Sequence, residues 1–93
     1  MNEVSSWKAE KDLLRLSKQG DAAAARRLMS LLIKPAHAMA WRILRSQDAA
    51  EEVVQEAVYQ LWRSAEQFEG QSSLKTYFNK IVMRECHAFI RHN

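Results

Sequence analysis

The amino-acid sequence predicts an all-α fold, a compact bundle of about four helices. Helix-breaking residues are rare, because the 93 residues include only two glycines, Gly20 and Gly70, and one proline, Pro35. Apolar residues make up 47% of the chain and recur at three- and four-residue steps, the period of an amphipathic helix. A chain of this length fits one domain with one hydrophobic core.

The first predicted helix runs from about Ser6 to Gln19, and residues 1–5 before it are expected to be disordered. Ser5 or Ser6 can cap its N-terminus through a side-chain oxygen. Gly20 is placed to end it, because glycine readily adopts the positive φ that often follows a helix. Its predicted apolar face consists of Trp7, Leu13, Leu14 and Leu16.

The second helix begins after Asp21, whose carboxylate can accept hydrogen bonds from the amides of the next turn. Pro35 lies within this segment, has no amide donor and disfavours helix at Lys34. Two alternatives remain, a single helix kinked at Pro35 or two helices with Pro35 opening the second. Apolar residues keep the helical period on both sides, at Leu28, Leu31, Leu32, Met39, Ala40, Ile43 and Leu44.

The third helix is predicted from Asp48 or Ala49 to about Ser64. Asp48 and Glu51 have the spacing of a capping box, in which the two side chains satisfy amides at the helix start. The predicted apolar stripe contains Ala50, Val53, Val54, Ala57, Val58, Leu61 and Trp62. The side away from the stripe contains Glu52, Gln55, Glu56, Tyr59 and Gln60.

A polar loop from Glu66 to Ser73 precedes the fourth helix, which Ser72 or Ser73 is expected to cap. The core-facing side of this helix is predicted to hold Leu74, Phe78, Ile81, Val82, Glu85 and Phe89. Helical spacing places on the other side Thr76, Lys80, Met83, Arg84, His87 and Arg91.

Four aromatic residues lie close together in this part of the sequence. We expect Trp62 and Phe78 to lie in the core, as most aromatic residues at helical spacing do. Phe68 and Tyr77 are ambiguous, because an aromatic ring in or beside a polar loop can also stack on an unpaired nucleic-acid base.

Charge divides the chain into three blocks. Residues 1–47 hold nine basic and four acidic side chains, residues 48–69 one and six, and residues 70–93 four and one. This order suggests two surfaces that suit different partners. Spacing alone favours a plainer explanation for the acids, which stabilise the start of a helix and stay solvated. The basic side of the fourth helix fits either a solvated face or a surface that follows a phosphate backbone.

Catalytic, metal-binding and membrane functions find no support. Cys86 is the only cysteine, so no intrachain disulfide is possible, which fits a reducing cytoplasm. His87 is adjacent to it, but adjacent helical side chains diverge, and no cysteine–histidine spacing matches a zinc site. No apolar run is long enough to cross a membrane. We therefore expect a cytoplasmic protein that is not an enzyme and needs no cofactor.

The order of these features resembles region 2 of the sigma-70 family, specifically its extracytoplasmic-function (ECF) group. The resemblance extends from about Asp12 to Arg91 and implies a region 2 domain over residues 6–91. The acidic helix with its downstream Leu61-Trp62 is fairly specific only in combination with the later Thr76-Tyr77-Phe78 and Ile81. The matching segments are Gly20-Asp21, Asp48-Ala49-Ala50-Glu51-Glu52-Val53-Val54-Gln55-Glu56, Leu61-Trp62, Phe68-Glu69-Gly70 and Ser73-Leu74-Lys75-Thr76-Tyr77-Phe78.

The resemblance implies two partners, core RNA polymerase and promoter DNA. In such sigma factors the acidic helix docks on the clamp helices of the largest polymerase subunit. The loop before the last helix captures a base flipped from the non-template strand of the minus-ten element, and the last helix contacts that strand. The implied polymerase-binding residues are Asp48, Glu51, Glu52, Gln55 and Glu56. The implied DNA-binding residues are Glu66, Gln67, Phe68, Glu69, Gly70, Gln71, Ser72, Ser73, Thr76, Tyr77, Lys80, Arg84, His87 and Arg91.

The sequence departs from the family pattern in three ways, and the second and third favour an alternative. Tyr77 stands where a tryptophan is usual, and Arg84 and Ala88 replace a frequent asparagine and aspartate. No second DNA-binding domain (region 4) follows Arg91, so we expect an excised domain or a truncated relative. The alternative is a helical interaction module that binds an anti-sigma factor or polymerase without recognising a promoter.

Overall fold

The computed structural model describes residues 2–92, with side chains for residues 8–92. The described chain folds into four α-helices with one short 3-10 helix before the last, and it contains no strand. The predicted all-α bundle of four helices is therefore confirmed. The elements are α1 (Asn2–Lys18), α2 (Ala22–Leu44), α3 (Gln47–Arg63), the 3-10 helix (Ala65–Gln67) and α4 (Leu74–His92).

Helix α1 begins at Asn2, earlier than the predicted start at Ser6. Residues 2–5, for which disorder was expected, therefore belong to the helix, and no glycine or proline precedes Gly20 to interrupt it. Gly20 has a φ of 105° and follows the end of α1, as predicted. Met1 and the side chain of Trp7 lie outside the described residues.

Helix α2 continues through Pro35, so the alternative of two separate helices is wrong. Its start is capped as predicted, since Asp21 Oδ1 accepts a hydrogen bond from the Ala24 amide at 2.9 Å. Its end is capped by Arg45, which adopts a left-handed conformation with a φ of 55°. In that conformation the Arg45 amide donates to the Trp41 carbonyl at 2.8 Å, which satisfies one carbonyl of the last turn.

The N-terminal cap of α3 is Ser46, and the prediction that Asp48 fills this position is wrong. Ser46 has an extended backbone, and its Oγ accepts a hydrogen bond from the Ala49 amide at 3.1 Å. Asp48 lies within the first turn instead, where its carboxylate interacts with the positive end of the helix dipole. At the start of α4, Ser73 Oγ accepts from the Thr76 amide at 3.1 Å, so the cap is Ser73 rather than Ser72.

Helix α2 lies at the centre and packs against α1, α3 and α4. The predicted apolar faces are largely confirmed, but Leu16 and Leu31 are 39% and 50% exposed, whereas Ser17 is buried. Ser17 follows Leu13 and Leu14 by four and three residues and so shares their face, while Leu16 points elsewhere. The largest fully buried side chains are Phe68, Phe78, Leu14, Leu28, Leu32, Leu61, Leu74, Val82 and Cys86.

Candidate functional site

The predicted polymerase-binding residues form one exposed surface on α3, which we call the acidic face. Buried Val53, Val54 and Ala57 hold the opposite side of the helix in the core, so the acidic side chains point to solvent. Within residues 8–92, none of them forms an ion pair. The acidic face consists of Asp48, Glu51, Glu52, Gln55 and Glu56, all exposed.

A groove of about 390 Å³ extends the acidic face across to α4. Glu85 of α4 lines it beside Glu52 and Glu56. The Gln60 amide nitrogen donates to Glu85 at 2.6 Å and to Glu56 at 3.3 Å, so one side chain links the two carboxylates. Sequence reasoning missed Glu85 and Gln60 as members of this surface. The available signal was an acid on the core-facing side of α4, which requires a buried hydrogen-bond partner.

The α3–α4 loop (Glu66–Ser73) is held compactly by its own hydrogen bonds. The 3-10 helix forms its first part, and Gly70 turns the chain with a φ of 78°. The Gln71 side chain accepts from the Glu69 amide at 3.0 Å. Ser73 both caps α4 and donates from its hydroxyl to Thr76 Oγ1 at 3.0 Å. The loop therefore has a defined shape and carries side-chain amides and carboxylates on its exposed surface.

Helix α1 also contacts this loop, which sequence reasoning did not predict. Glu10 Oε1 accepts a hydrogen bond from the Leu74 amide at 2.5 Å. Lys11 Nζ lies 2.9 Å from Glu69 Oε1. These pairs are 64 and 58 residues apart in sequence, so no local pattern could have indicated them.

The predicted basic side of α4 is exposed along its length. Buried Phe78, Ile81, Val82 and Cys86 fix the opposite side in the core. The helix advances fifteen residues from Thr76 to Arg91, which corresponds to about 22 Å along its axis. The described residues contain no ion pair that neutralises this surface. The basic face consists of Thr76, Lys80, Arg84, His87 and Arg91, all exposed.

A recess of about 260 Å³ lies where the loop meets the basic face. Pockets for drug-sized ligands begin at about 300 Å³, and a single nucleobase is smaller than such ligands. The Tyr77 hydroxyl donates to Ser64 Oγ at 3.2 Å, which fixes the ring at the recess wall. The recess combines an aromatic wall, polar groups and two cations, and its lining is Gln60, Ser64, Gln67, Tyr77, Lys80, Ile81 and Arg84.

Phe68 is fully buried, with 0% of its surface exposed. Its ring centroid lies 5.0 Å from that of Tyr77, at an interplanar angle of 54°. The sequence left Phe68 open between a place in the core and stacking on a base, and this burial favours the core. The residue anchors the loop to the core and supports Tyr77, because burying an aromatic ring is more favourable than leaving it in a polar loop.

The remaining predicted features add no reactive centre. Cys86 is buried, and burial first and the nearby Glu85 carboxylate second raise the pKa of its thiol. Among the described residues, no three histidine, cysteine, aspartate or glutamate side chains lie close enough to hold a metal ion. None of the described helices has the length and apolar composition needed to span a membrane.

These observations define a class, an all-α module with an acidic face on one helix and a basic face on the next. Comparison with protein families gives the particular assignment. The family model for Sigma-70 region 2 matches residues 26–93, so the chain belongs to the Sigma-70 region 2 family. Membership implies a sigma-factor role in transcription initiation, with RNA polymerase and promoter DNA as partners. Neither the curated proteins nor the solved structures contain a match to the chain.

Proposed function

We propose that this chain is the region 2 domain of an ECF sigma factor that docks on the polymerase clamp and opens the minus-ten element. In this proposal the acidic face binds the clamp helices. The α3–α4 loop and the recess receive a base flipped from the non-template strand, and the basic face follows that strand's phosphates.

The carrying observation is that a base-sized recess lies between a polar loop and an unneutralised basic face. Flipping a base costs a few kcal/mol, which stacking and hydrogen bonds in a pocket offset. Tyr77 offers an aromatic surface, while the Gln67 side-chain amide offers both donors and an acceptor to base edges. Lys80 and Arg84 at the rim are positioned to neutralise adjoining phosphates.

The DNA part is tested by fluorescence anisotropy with short single-stranded oligonucleotides in which each base of the candidate element is varied. We expect one position to dominate affinity, and Gln67→Ala to reduce that preference. Lys80→Gln should weaken binding to every sequence and lower the salt slope by about 0.7 per lost phosphate contact. Lys34→Gln, which removes an equally exposed charge from α2, is the matched control.

The polymerase part is tested with the same chain and immobilised core polymerase. The combined variant Glu51→Gln, Glu52→Gln should weaken polymerase binding and leave base preference unchanged. Lys80→Gln should leave polymerase binding unchanged and weaken binding to every oligonucleotide alike. If both variants changed both activities equally, the assignment of separate surfaces would be refuted.

A second candidate is an interaction module that binds polymerase or an anti-sigma factor without promoter recognition. The burial of Phe68 favours it, because this aromatic ring of the loop is inaccessible to a base. Arg84 and Ala88, which replace polar family residues on α4, favour it as well. This candidate requires polymerase binding with no base preference at any salt concentration.

A further inference from the structure

Helix α1 contacts both ends of residues 69–74, which comprise the second half of the α3–α4 loop and the first residue of α4. At the C-terminal end, Glu10 accepts the Leu74 amide hydrogen at 2.5 Å. At the N-terminal end, Lys11 pairs with Glu69 at 2.9 Å. The residues between these contacts, 70–73, are exposed or half-buried, so they contribute little to the core themselves. Helix α1 lies outside residues 26–93, which the family model matches.

The Glu10 contact is the stronger of the two. Leu74 is the first residue of α4, so its amide has no partner within the helix. A carboxylate there makes a charge-assisted hydrogen bond and also interacts with the positive end of the helix dipole. Lys11 and Glu69 are 41% and 61% exposed, and an ion pair in that environment contributes little.

The two caps of α4 differ in origin. The Ser73 side chain satisfies the amide of Thr76, its near neighbour in sequence, so this cap does not depend on where α4 lies relative to the other helices. Glu10 comes from another helix and satisfies the Leu74 amide, so it fixes where the start of α4 lies relative to α1. Together with the buried ring of Phe68, it sets the path of the intervening loop residues.

We propose that Glu10, assisted by Lys11, is a positioning residue for base capture, which makes α1 part of the specificity site without touching DNA. The inference rests on the proposed function, because the loop that Glu10 holds is the one proposed to receive the flipped base. A loop that samples several positions presents its recognition groups poorly, and the resulting ordering cost lowers affinity for the correct base. Removing the tether therefore reduces discrimination between bases more than it reduces binding to phosphates.

The test compares Glu10→Ala with Asp12→Ala in the full chain. Both substitutions remove one carboxylate from α1, but Asp12 is 50% exposed and, among residues 8–92, pairs with Arg15 alone, at 3.4 Å. The first readout is amide hydrogen exchange of the loop and of Leu74. The second is the ratio of affinities for the preferred oligonucleotide and one with the key base replaced. Glu10→Gln, compared with Asp12→Asn, repeats the test with side-chain shape preserved.

We expect Glu10→Ala to speed amide exchange at Leu74 roughly tenfold, because losing a hydrogen bond to a charged group changes an equilibrium constant by about tenfold or more. The affinity ratio should fall by a similar factor. Asp12→Ala should change neither. A general loss of stability would lower binding to both oligonucleotides and leave their ratio intact. The double variant Lys11→Glu, Glu69→Lys keeps the ion pair with its charges exchanged. It should restore the protection from amide exchange at position 69 that Lys11→Glu alone removes.

Unchanged exchange at Leu74 in Glu10→Ala would overturn the inference. So would faster exchange with an unchanged affinity ratio, because the loop position would then not matter for base choice. A wild-type chain without base preference would refute the proposed function instead, and the exchange data would still decide whether Glu10 holds the loop.

Discussion

Replacing Phe68 with alanine should cost stability and should not act as the loss of a DNA contact. The ring is fully buried and packs at 5.0 Å on Tyr77. Truncating a buried phenylalanine to alanine costs about 3–5 kcal/mol, from lost transfer free energy and from the cavity left behind. A chain of 93 residues has a total free energy of unfolding of about 5–14 kcal/mol. The variant should therefore lose about a fifth or more of its stability.

The measurement is urea denaturation followed by circular dichroism at 222 nm, for wild type, Phe68→Ala and Tyr59→Ala. Tyr59 is a suitable control because it is 57% exposed and the Arg63 guanidinium lies 5.4 Å from its ring centroid. Its truncation should cost less than about 1 kcal/mol. The reasoning is refuted if Phe68→Ala costs less than about 1 kcal/mol while base-selective binding disappears. That result would mean that the ring leaves the core to stack on a base.

Three other substitutions examine local features of the fold. Ser46→Ala should lower the free energy of unfolding by about 1 kcal/mol and Asp48→Asn by only about 0.3–0.5 kcal/mol in urea denaturation; the reverse order would restore Asp48 as the cap. Arg45→Gly should raise the melting temperature. Removing the strain of the left-handed backbone at Arg45 gains about 1 kcal/mol, whereas losing the contact with the Trp41 ring, 5.5 Å away, costs about 0.5 kcal/mol. A lower melting temperature would contradict this. Because its pKa is raised in the folded state, Cys86 keeps its proton to a higher pH than in the unfolded chain. The free energy of unfolding therefore falls as the pH rises through the range in which the thiol titrates. Cys86→Ala should flatten that fall above about pH 8.5, the ordinary pKa of a cysteine thiol, and an unchanged slope would assign it to other groups.

The helix faces of α3 and α4 could be predicted because they depend on one periodicity. In both helices the apolar residues recur at three- and four-residue steps without a competing stripe, so burial followed the pattern. In α1 the prediction was wrong at Leu16, which was placed in the core on its hydrophobicity alone, and the burial of Ser17 was not predicted. The side-by-side position of Ser17 with Leu13 and Leu14 gave a better indication.

The contacts that complete the candidate site could not be predicted, because they join residues far apart in sequence. The bond from Leu74 to Glu10 and that from Gln60 to Glu85 depend on how whole helices pack. The burial of Phe68 has the same origin. In the sequence it is one aromatic residue in a polar loop, and the hydrophobic core that it joins forms only when separate helices pack together.

The placement of charge argues against the plainer explanation in which both charged faces serve only the fold. Helices α3 and α4 are neighbours, and oppositely charged side chains across such a contact would be expected to pair if pairing were their role. In residues 8–92, the acidic face and the basic face share no ion pair, and a side-chain hydrogen bond between the two helices joins Gln60 to Glu85 instead. Both faces therefore keep their charge for partners of opposite sign. Because salt screens exposed charges beyond about 8–10 Å, each face acts mainly on what touches it. In the proposed function, the acidic face therefore keeps phosphates away from itself and leaves the DNA to the loop and α4.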